Sequence, residues 1–288
     1  MKAHKITENV YADTSGEGRG NIGAIELQNY TIAVDTTMFP QTAVAFRHSL
    51  ESQIKTPIRK LILTHCHADH VFGNQVFKGC EIISSKPLKQ RMEELAPIEW
   101  TPKKLMEYEK KFPDLAGKLS EVTITFPTAT FEKTMTLKDG SLSVTITHSG
   151  GHTEGTSYLY FPKGKILFSG DLIFAKSFPW GGDKTCNPDR WIETLKQFLT
   201  MDIERIVPGH GPLCGKEEVK IYLEFFESTT SIMKELIQKN MDEREIAQYK
   251  GFPAFYPPHR PEAQMASLVN WYSFYKQKAK KRHGWDVQ

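Results

Sequence analysis

Residues 63–74, LTHCHADHVFGN, place three histidines and one aspartate within six positions, and this stretch decides how the rest of the chain is interpreted. In an extended segment, side chains two residues apart point the same way, so His65 and His67 can hold one metal ion. Asp69 and His70 follow where the chain must turn, and they suit a second ion a few ångströms away. The pattern H-x-H-x-D-H therefore predicts a metal site with room for two ions.

Composition describes an ordinary soluble protein. The 288 residues are 39% hydrophobic, enough for one large domain or for a domain with an extension. A net charge of +3 does not suggest a nucleic-acid partner. The basic run KQKAKKRH at residues 276–283 is interpreted as a solvated helix end.

Targeting and redox features favour a cytoplasmic location. The N-terminus MKAHKITENVY lacks the apolar core of a secretory signal, and no apolar run approaches the ~20 residues of a membrane helix. The four cysteines show no CxxC spacing, so neither a disulfide framework nor a cysteine zinc site is indicated. Cys66, although inside the opening motif, is interpreted as a bystander.

The pattern along the chain predicts an α/β protein. Short strands over residues 6–36, a helix over 42–54 and the strand KLILT place the histidines at the C-terminal end of a strand, where open α/β sheets build their sites. Residues 86–119 are predicted to be helical and near the entrance of the site. Strands return over 122–174, with hairpins around Asp139–Gly140 and Lys163–Gly164, and the chain is mostly helical after Gly215.

Three further candidate ligands stand beside glycine and next to β-like runs. They are His152 in SGGHTEGT, Asp171 in LFSGDLIF and His210 in VPGHGP. Together with the opening motif they form a set large enough for a two-metal centre.

With H-x-H-x-D-H followed by His, Asp and His in this order, the chain resembles the metallo-β-lactamase fold superfamily from about residue 6 to 215. The resemblance implies an αββα sandwich with two metals between the sheets. Residues 1–215 would form this domain, with 86–119 as a helical insertion near the site. Residues 216–288 would be a helical C-terminal extension packed on the same globular unit.

The resemblance also implies a role for each candidate residue. The first ion would be held by His65, His67 and His152, the second by Asp69, His70 and His210, with Asp171 bridging them. Asp35 would be the buried aspartate that helps to orient a ligand loop. Nitrogen and carboxylate ligands suit Zn²⁺ and also accept Fe or Mn, so two divalent ions, zinc by default, are expected.

The implied chemistry is attack by metal-bound hydroxide on a small ester, thioester or lactone, with Asp69 as the catalytic proton shuttle. Flavodiiron proteins carry Glu at the position of His67, and nuclease branches add domains or motifs that are absent between Asp171 and His210. True β-lactamases usually replace Asp171 by Cys or Ser, so β-lactam hydrolysis is kept as an alternative function, in the form of a side activity. Gly150 and Glu154 depart from a frequent proline, which leaves the loop around His152 less rigid.

Two alternatives to the hydrolase stay open, namely an iron oxidoreductase similar to persulfide dioxygenase, with one metal, and a metal-stabilised non-catalytic protein. Phe178 and Trp180 are candidates for the substrate pocket, with packing beneath a surface loop as the alternative. Aromatic residues at helical spacing in the C-terminal part are interpreted as core or subunit-contact residues, and a homodimer is one option for them: Trp271, Tyr272, Phe274 and Tyr275.

Overall fold

The computed structural model describes residues 1–258 and 260–282, and the strands of these residues form two sheets. The seven strands of the first sheet are adjacent in chain order: β1 (His4–Lys5), β2 (Val10–Asp13), β3 (Ile22–Glu26), β4 (Thr31–Val34), β5 (Ile58–Ile62), β6 (Glu81–Ser85) and β7 (Ala129–Phe131). The second sheet has the order β12-β11-β10-β9-β8: β8 (Thr134–Asp139), β9 (Leu142–His148), β10 (Ser157–Phe161), β11 (Ile166–Phe174) and β12 (Arg205–His210).

The helices follow in chain order: α1 (Pro40–Glu51), α2 (Ala68–Val71), α3 (Lys86–Leu95), α4 (Pro102–Lys111), α5 (Pro188–Thr200), α6 (Lys216–Gln238), α7 (Glu243–Ile246) and α8 (Pro261–Arg282). Helix α1 begins earlier than the predicted 42–54, because Pro40 in its first turn presets the helical φ, and it ends at Glu51. Its buried face consists of apolar residues three or four positions apart: Ala43, Phe46 and Leu50.

The type of connection between neighbouring strands depends on whether the strands are antiparallel or parallel. Strands β1 to β4 are antiparallel, whereas β4 to β7 are parallel and need crossovers, two of which contain α1 and α3. The predicted hairpin at Asp139–Gly140 is confirmed, and Gly140 has the positive φ that its turn requires. Strands β10 and β11 form the second predicted hairpin through a short 3₁₀ turn, Pro162–Gly164.

Four layers pack around three apolar clusters. Ile25 and Ile62 of the first sheet meet Ile146 and Leu159 of the second in the central cluster. Helices α1, α3 and α4 cover the outer face of the first sheet, and helices α5, α6 and α8 cover that of the second. The predicted αββα sandwich with C-terminal helices is confirmed.

The C-terminal helices contribute to the outer layer of the second sheet. Trp271, Tyr272 and Tyr275 of α8 are buried in it, as their helical spacing predicts, whereas Phe274 is half-buried. Residues 276–282 of the basic run continue α8, and residue 283 lies outside the described residues. Among the helices of the described residues, none combines the length and apolar character needed to cross a membrane.

Candidate metal centre

The predicted ligands lie together at one end of the sandwich, between the two sheets. His65 and His67 follow β5, and His67 precedes helix α2, which contains Asp69 and His70. His152 lies between β9 and β10, and His210 is the last residue of β12. Residues from both sheets therefore meet in one cluster.

Asp171 lies inside β11 rather than at its end, contrary to the sequence expectation that each ligand stands at the end of a strand. The ladder between β11 and β12 shifts register on both sides of Gly170, which has a φ of +50°. This irregularity interrupts the regular alternation of side chains next to Asp171, while the strand itself continues to Phe174. Periodicity alone cannot show such a break.

Gly209 makes room for the carboxylate of Asp171. A Cβ at position 209 would lie 1.9 Å from Oδ1 of Asp171 and 2.8 Å from its backbone nitrogen. Gly209 is one of the glycines that flank the candidate ligands in the sequence. In the structure, the space that it leaves is occupied by the carboxylate itself.

His65, His67, His152 and Asp171 form the first group. Nε2 of His152 lies 2.9 Å from Nδ1 of His67, and Nε2 of both His65 and His152 lies 3.4 Å from Oδ2 of Asp171. Ligands about 2.0–2.1 Å from a tetrahedral zinc ion would stand roughly 3.4 Å apart. The spacing of these atoms is therefore close to that of a zinc ligand set.

Asp69, His70 and His210 form the second group. Nε2 of His210 lies 3.3 Å from Oδ2 of Asp69 and 3.4 Å from Nε2 of His70. Asp171 adjoins this group too, with Oδ1 3.1 Å from Nε2 of His70 and Oδ2 3.2 Å from Nε2 of His210. One carboxylate thus lies between the two groups.

Two buried atoms of the cluster test whether these residues fit a metal. Nε2 of His65 and Oδ1 of Asp171 make no hydrogen bond of acceptable geometry with any described residue. The same holds for Nδ1 of His152, whose Nε2 is the atom that meets the other ligands. A buried polar atom without such a bond is costly, and metal coordination is one way to satisfy it. The donor set of nitrogens and carboxylate oxygens, with these two atoms aimed into it, fits a divalent ion.

Asp35 and Thr64 orient two of the histidines from behind. The Asp35 carboxylate accepts hydrogen bonds from the backbone N–H of Thr64 at 2.6 Å, from its hydroxyl at 2.6 Å and from Nδ1 of His70 at 2.9 Å. Since the Thr64 hydroxyl donates to Asp35, it accepts from Nδ1 of His65 at 3.1 Å. Both imidazoles are thereby left with Nε2 facing the centre, an arrangement typical of metal-binding histidines. Sequence reasoning placed Asp35 here but missed Thr64.

Burial and neighbouring charges shift the pKa values of these groups in different directions. Burial lowers the pKa of His65 to about 4 and that of His152 well below its usual value, so both rings are neutral at pH 7. Burial raises the pKa of Asp171, but the histidines around it, His210 foremost, hold that pKa well below the usual range. Burial also lowers the pKa of His70, but Asp171 and the other carboxylates raise it well above its usual value.

The cluster is partly open to solvent. The side chains of Asp69, His67 and His210 are 23%, 17% and 14% exposed, whereas those of His65, His70 and His152 are fully buried. The three partly exposed residues come from both groups, and they form the open side of the cluster.

Asp183 is a residue of the site that sequence reasoning missed. Its Oδ2 lies 3.3 Å from Nε2 of His67, and its Oδ1 accepts hydrogen bonds from the backbone N–H and the hydroxyl of Thr185. Burial raises the pKa of the Asp183 carboxyl, but these bonds hold the pKa below its usual range. With Nε2 of His67 bonded to Asp183, Nδ1 is the nitrogen that faces the cluster. The local sequence WGGD, with two glycines before the acid, is the feature that could have pointed to Asp183.

The two pocket candidates lie in different surroundings. Phe178 is buried among Phe225, Phe255 and Trp271 of the helical layer, in the position that the packing alternative describes. The half-buried ring of Trp180 lies edge-on to His67, with 4.9 Å between the ring centroids. Of the two, it is therefore Trp180 that stands beside the open side of the cluster.

Comparison with known proteins agrees with this geometry. A sequence model of the metallo-beta-lactamase superfamily matches residues 15–210. The chain is 25% identical over 235 residues to the 2,4-dinitroanisole O-demethylase subunit alpha of Nocardioides sp. (strain JS1661), covering 80% of this chain and 64% of that subunit. It is 26% identical over 168 residues to the acyl-coenzyme A thioesterase MBLAC2 of Gallus gallus, covering 55% of this chain and 58% of the thioesterase.

The chain thus spans roughly three fifths of the length of these relatives. Among solved structures, the stereoselective inverting sec-alkylsulfatase Pisa1 from Pseudomonas sp. superposes with a TM-score of 0.75 at 17% identity. The alignment covers 95% of this chain and 50% of the sulfatase, and at this identity it shows the fold alone.

Proposed function

The chain belongs to the metallo-β-lactamase superfamily, and we propose that it is a binuclear metal-dependent hydrolase of a small ester, thioester or lactone. The observation that carries the proposal is the position of Asp171, whose carboxylate oxygens lie within 3.4 Å of the ring nitrogens of both groups. Two divalent ions held there would supply Lewis-acid activation of a water molecule and of the substrate's reacting oxygen.

We assign the first ion to His65, His67 and His152 and the second to Asp69, His70 and His210, with Asp171 shared. Imidazole and carboxylate ligands without a thiolate favour zinc. Cys66, inside the opening motif, is buried, and the groups of ligand atoms that come together among the described residues contain no cysteine.

Asp69 is the residue to which we assign proton transfer. It is the most exposed member of the two groups, so its carboxylate can reach both the cluster and an incoming water molecule. Burial raises the pKa of Asp69, but the neighbouring His70 and His210 lower it below the usual value, which keeps the group ionised at neutral pH. An ionised carboxylate can accept a proton from water and deliver it to the leaving group.

The position of Trp180 is consistent with an acyl substrate of modest size. Its ring borders the open side next to His67 and offers an apolar wall on which the non-reacting part of a substrate can pack. The name of one relative, an acyl-coenzyme A thioesterase, supports the thioester within this class.

The test combines metal analysis with a hydrolysis panel. Purified protein is analysed for metal content and assayed with aryl esters, acyl thioesters, lactones, a chromogenic β-lactam and an aryl methyl ether. Two metals per chain and turnover of an ester, thioester or lactone are expected. Asp69→Asn should lower kcat about 10²–10⁴-fold. Asp202→Asn, on an exposed side chain outside the cluster, is the matched control and should leave kcat unchanged.

Other outcomes would replace this proposal. One iron per chain without hydrolysis would favour the persulfide dioxygenase-like oxidoreductase. Turnover of the β-lactam or of the aryl methyl ether alone would reject the proposed substrate class. A folded Asp69→Asn variant with full kcat would remove Asp69 from the chemistry. A protein that binds metal and hydrolyses none of the panel would favour the non-catalytic alternative.

A further inference from the structure

Helix α8 contacts the loop that follows β11 and carries Trp180 and Asp183. Three residues of the helix make these contacts, and their spacing of i, i+3 and i+4 puts them on one face: Ser267, Asn270 and Trp271. The C-terminal part of the chain therefore reaches the loop from which a carboxylate meets His67.

The contacts fix the loop backbone at residues 181–183. The hydroxyl of Ser267, a fully buried residue, accepts a hydrogen bond from the N–H of Gly181 at 2.8 Å. The side-chain amide of Asn270 donates to the carbonyls of Gly181 and Asp183, each at 2.8 Å. Gly181 packs so closely on Trp271 that a Cβ there would lie 2.1 Å from the indole nitrogen. Hydrogen bonds thus hold Gly181 and Asp183, and close packing on Trp271 also holds Gly181.

The loop continues to both histidine-bearing segments of the first group. The Asp183 carboxylate lies 3.3 Å from Nε2 of His67. Thr185, which donates to that carboxylate, also accepts a hydrogen bond from the backbone N–H of Glu154, two residues after His152. A displacement of the loop backbone would therefore move the partner of His67 and a support of the His152 segment.

We propose that helix α8 is a positioning element of the metal centre, in which Asn270 and Ser267 fix the loop backbone so that Asp183 holds His67 in its ligand orientation. This inference rests on the proposed function, because it assumes that His67 binds a metal ion. It gives the C-terminal extension a specific task that is separate from substrate binding.

The expected effect is on metal affinity. Partners that orient metal-binding histidines typically change affinity about 10–100-fold when they are removed. Asp183→Asn should weaken the binding of one of the two zinc ions by that factor. Asn270→Ala should weaken binding of the same ion about 10-fold and change binding of the other less. The hydrogen bonds of residues 181–185 reach His67 and Glu154, whereas the loop meets the second group at its first residue, Ala175, whose N–H donates to the carbonyl of His210 at 2.9 Å.

The experiment titrates Zn²⁺ into the metal-free 288-residue chain in competition with a chromophoric chelator, with thermal melts of each metal-free variant alongside. The variants are Asn270→Ala, Ser267→Ala, Asp183→Asn and the double variant Asn270→Ala/Asp183→Asn. Tyr272→Phe is the matched control, because the Tyr272 hydroxyl also donates a hydrogen bond from α8, but to the carbonyl of Met241.

Weaker zinc binding in Asn270→Ala and Ser267→Ala, unchanged binding in Tyr272→Phe, and no further loss when Asn270→Ala is added to Asp183→Asn would support the inference. Wild-type affinity in Asn270→Ala would overturn it, as would equal loss in Tyr272→Phe or an Asn270→Ala effect that persists in full beside Asp183→Asn. If Asn270→Ala does not fold, Ser267→Ala decides. Wild-type protein without zinc would reject the proposed function as well, whereas the other negative outcomes reject only the role of α8.

Discussion

Nδ1 of His70 lies 2.9 Å from Oδ2 of Asp35, and both residues are buried at the back of the cluster. Asp35 follows β4 with a positive φ of 56°, a conformation that is uncommon for a residue other than glycine. The same carboxylate accepts both hydrogen bonds from Thr64. Asp35 therefore connects the end of one strand to two of the histidines that we assign as ligands.

Replacing Asp35 by Asn should weaken zinc binding through His70. The amide keeps the size of the carboxylate but has one acceptor oxygen for three donors, so a buried donor is left unsatisfied at a cost of about 1–3 kcal/mol. We expect about 10–100-fold weaker binding of one ion in a chelator competition, with a lower midpoint in thermal denaturation. Unchanged affinity for both ions would show that His70 does not depend on Asp35.

Zinc binding should release protons mainly from the second group. The pKa of His70 is raised well above its usual value and that of His210 is also raised, so in metal-free protein His70 is protonated at pH 7 and zinc must displace the proton. His65, with a pKa of about 4, is already neutral there. The affinity of the second group should therefore rise with pH around neutrality, and that of the first should change less.

Calorimetric titrations at pH 7 in two buffers that differ in ionisation enthalpy measure this release. We expect about one proton or more for one ion and fewer for the other. Equal release for both ions, or none for either, would contradict the assignment of His70 and His65 to different groups.

Gly209→Ala should disturb the carboxylate that the two groups share. The new methyl group would meet Oδ1 of Asp171 at 1.9 Å, and overpacking of a buried site costs about 1–3 kcal/mol. Both zinc affinities should fall together, because Asp171 adjoins both groups. Gly215→Ala is the control, since a Cβ there meets only the mobile end of the Glu217 side chain. Loss of a single ion in Gly209→Ala would argue against a shared Asp171.

Cys66, despite its place in the H-x-H-x-D-H motif, should be dispensable. Its side chain is buried, and burial raises its pKa to about 12, so almost no thiolate exists at pH 8. Folded protein should leave Cys66 unlabelled by iodoacetamide in a peptide-mapping experiment, and Cys66→Ala should retain metal content and turnover at a stability cost of about 1 kcal/mol. Rapid labelling, or loss of metal in Cys66→Ala, would reject the bystander role.

The opening motif predicted its part of the cluster because four candidate ligands fall within six residues at the end of a strand. His152 and His210 could be found because a glycine and a β-like run flank each of them. The sequence pattern placed Asp171 next to a strand, whereas it lies inside β11. The pattern could not show this, because a register shift at a glycine leaves no periodic signal.

Contacts between distant residues could not be predicted from the chain. Asp183 meets His67 across 116 positions, and Asn270 meets the backbone of residue 183 across 87 positions. A single acid after two glycines and a single asparagine on an amphipathic helix are common in any protein, so neither stands out without the fold. For Phe178 the sequence suggested a site residue that the fold does not place at the site. Its ring is buried in the apolar cluster with residues of α6 and α8.

The most direct test of the central claim is a crystal structure of the zinc-loaded protein with anomalous diffraction recorded on both sides of the zinc absorption edge. We predict two anomalous peaks per chain, one between His65, His67 and His152 and one between Asp69, His70 and His210, with the Asp171 carboxylate between them. A single peak, or no peak within the cluster, would contradict a binuclear metal centre.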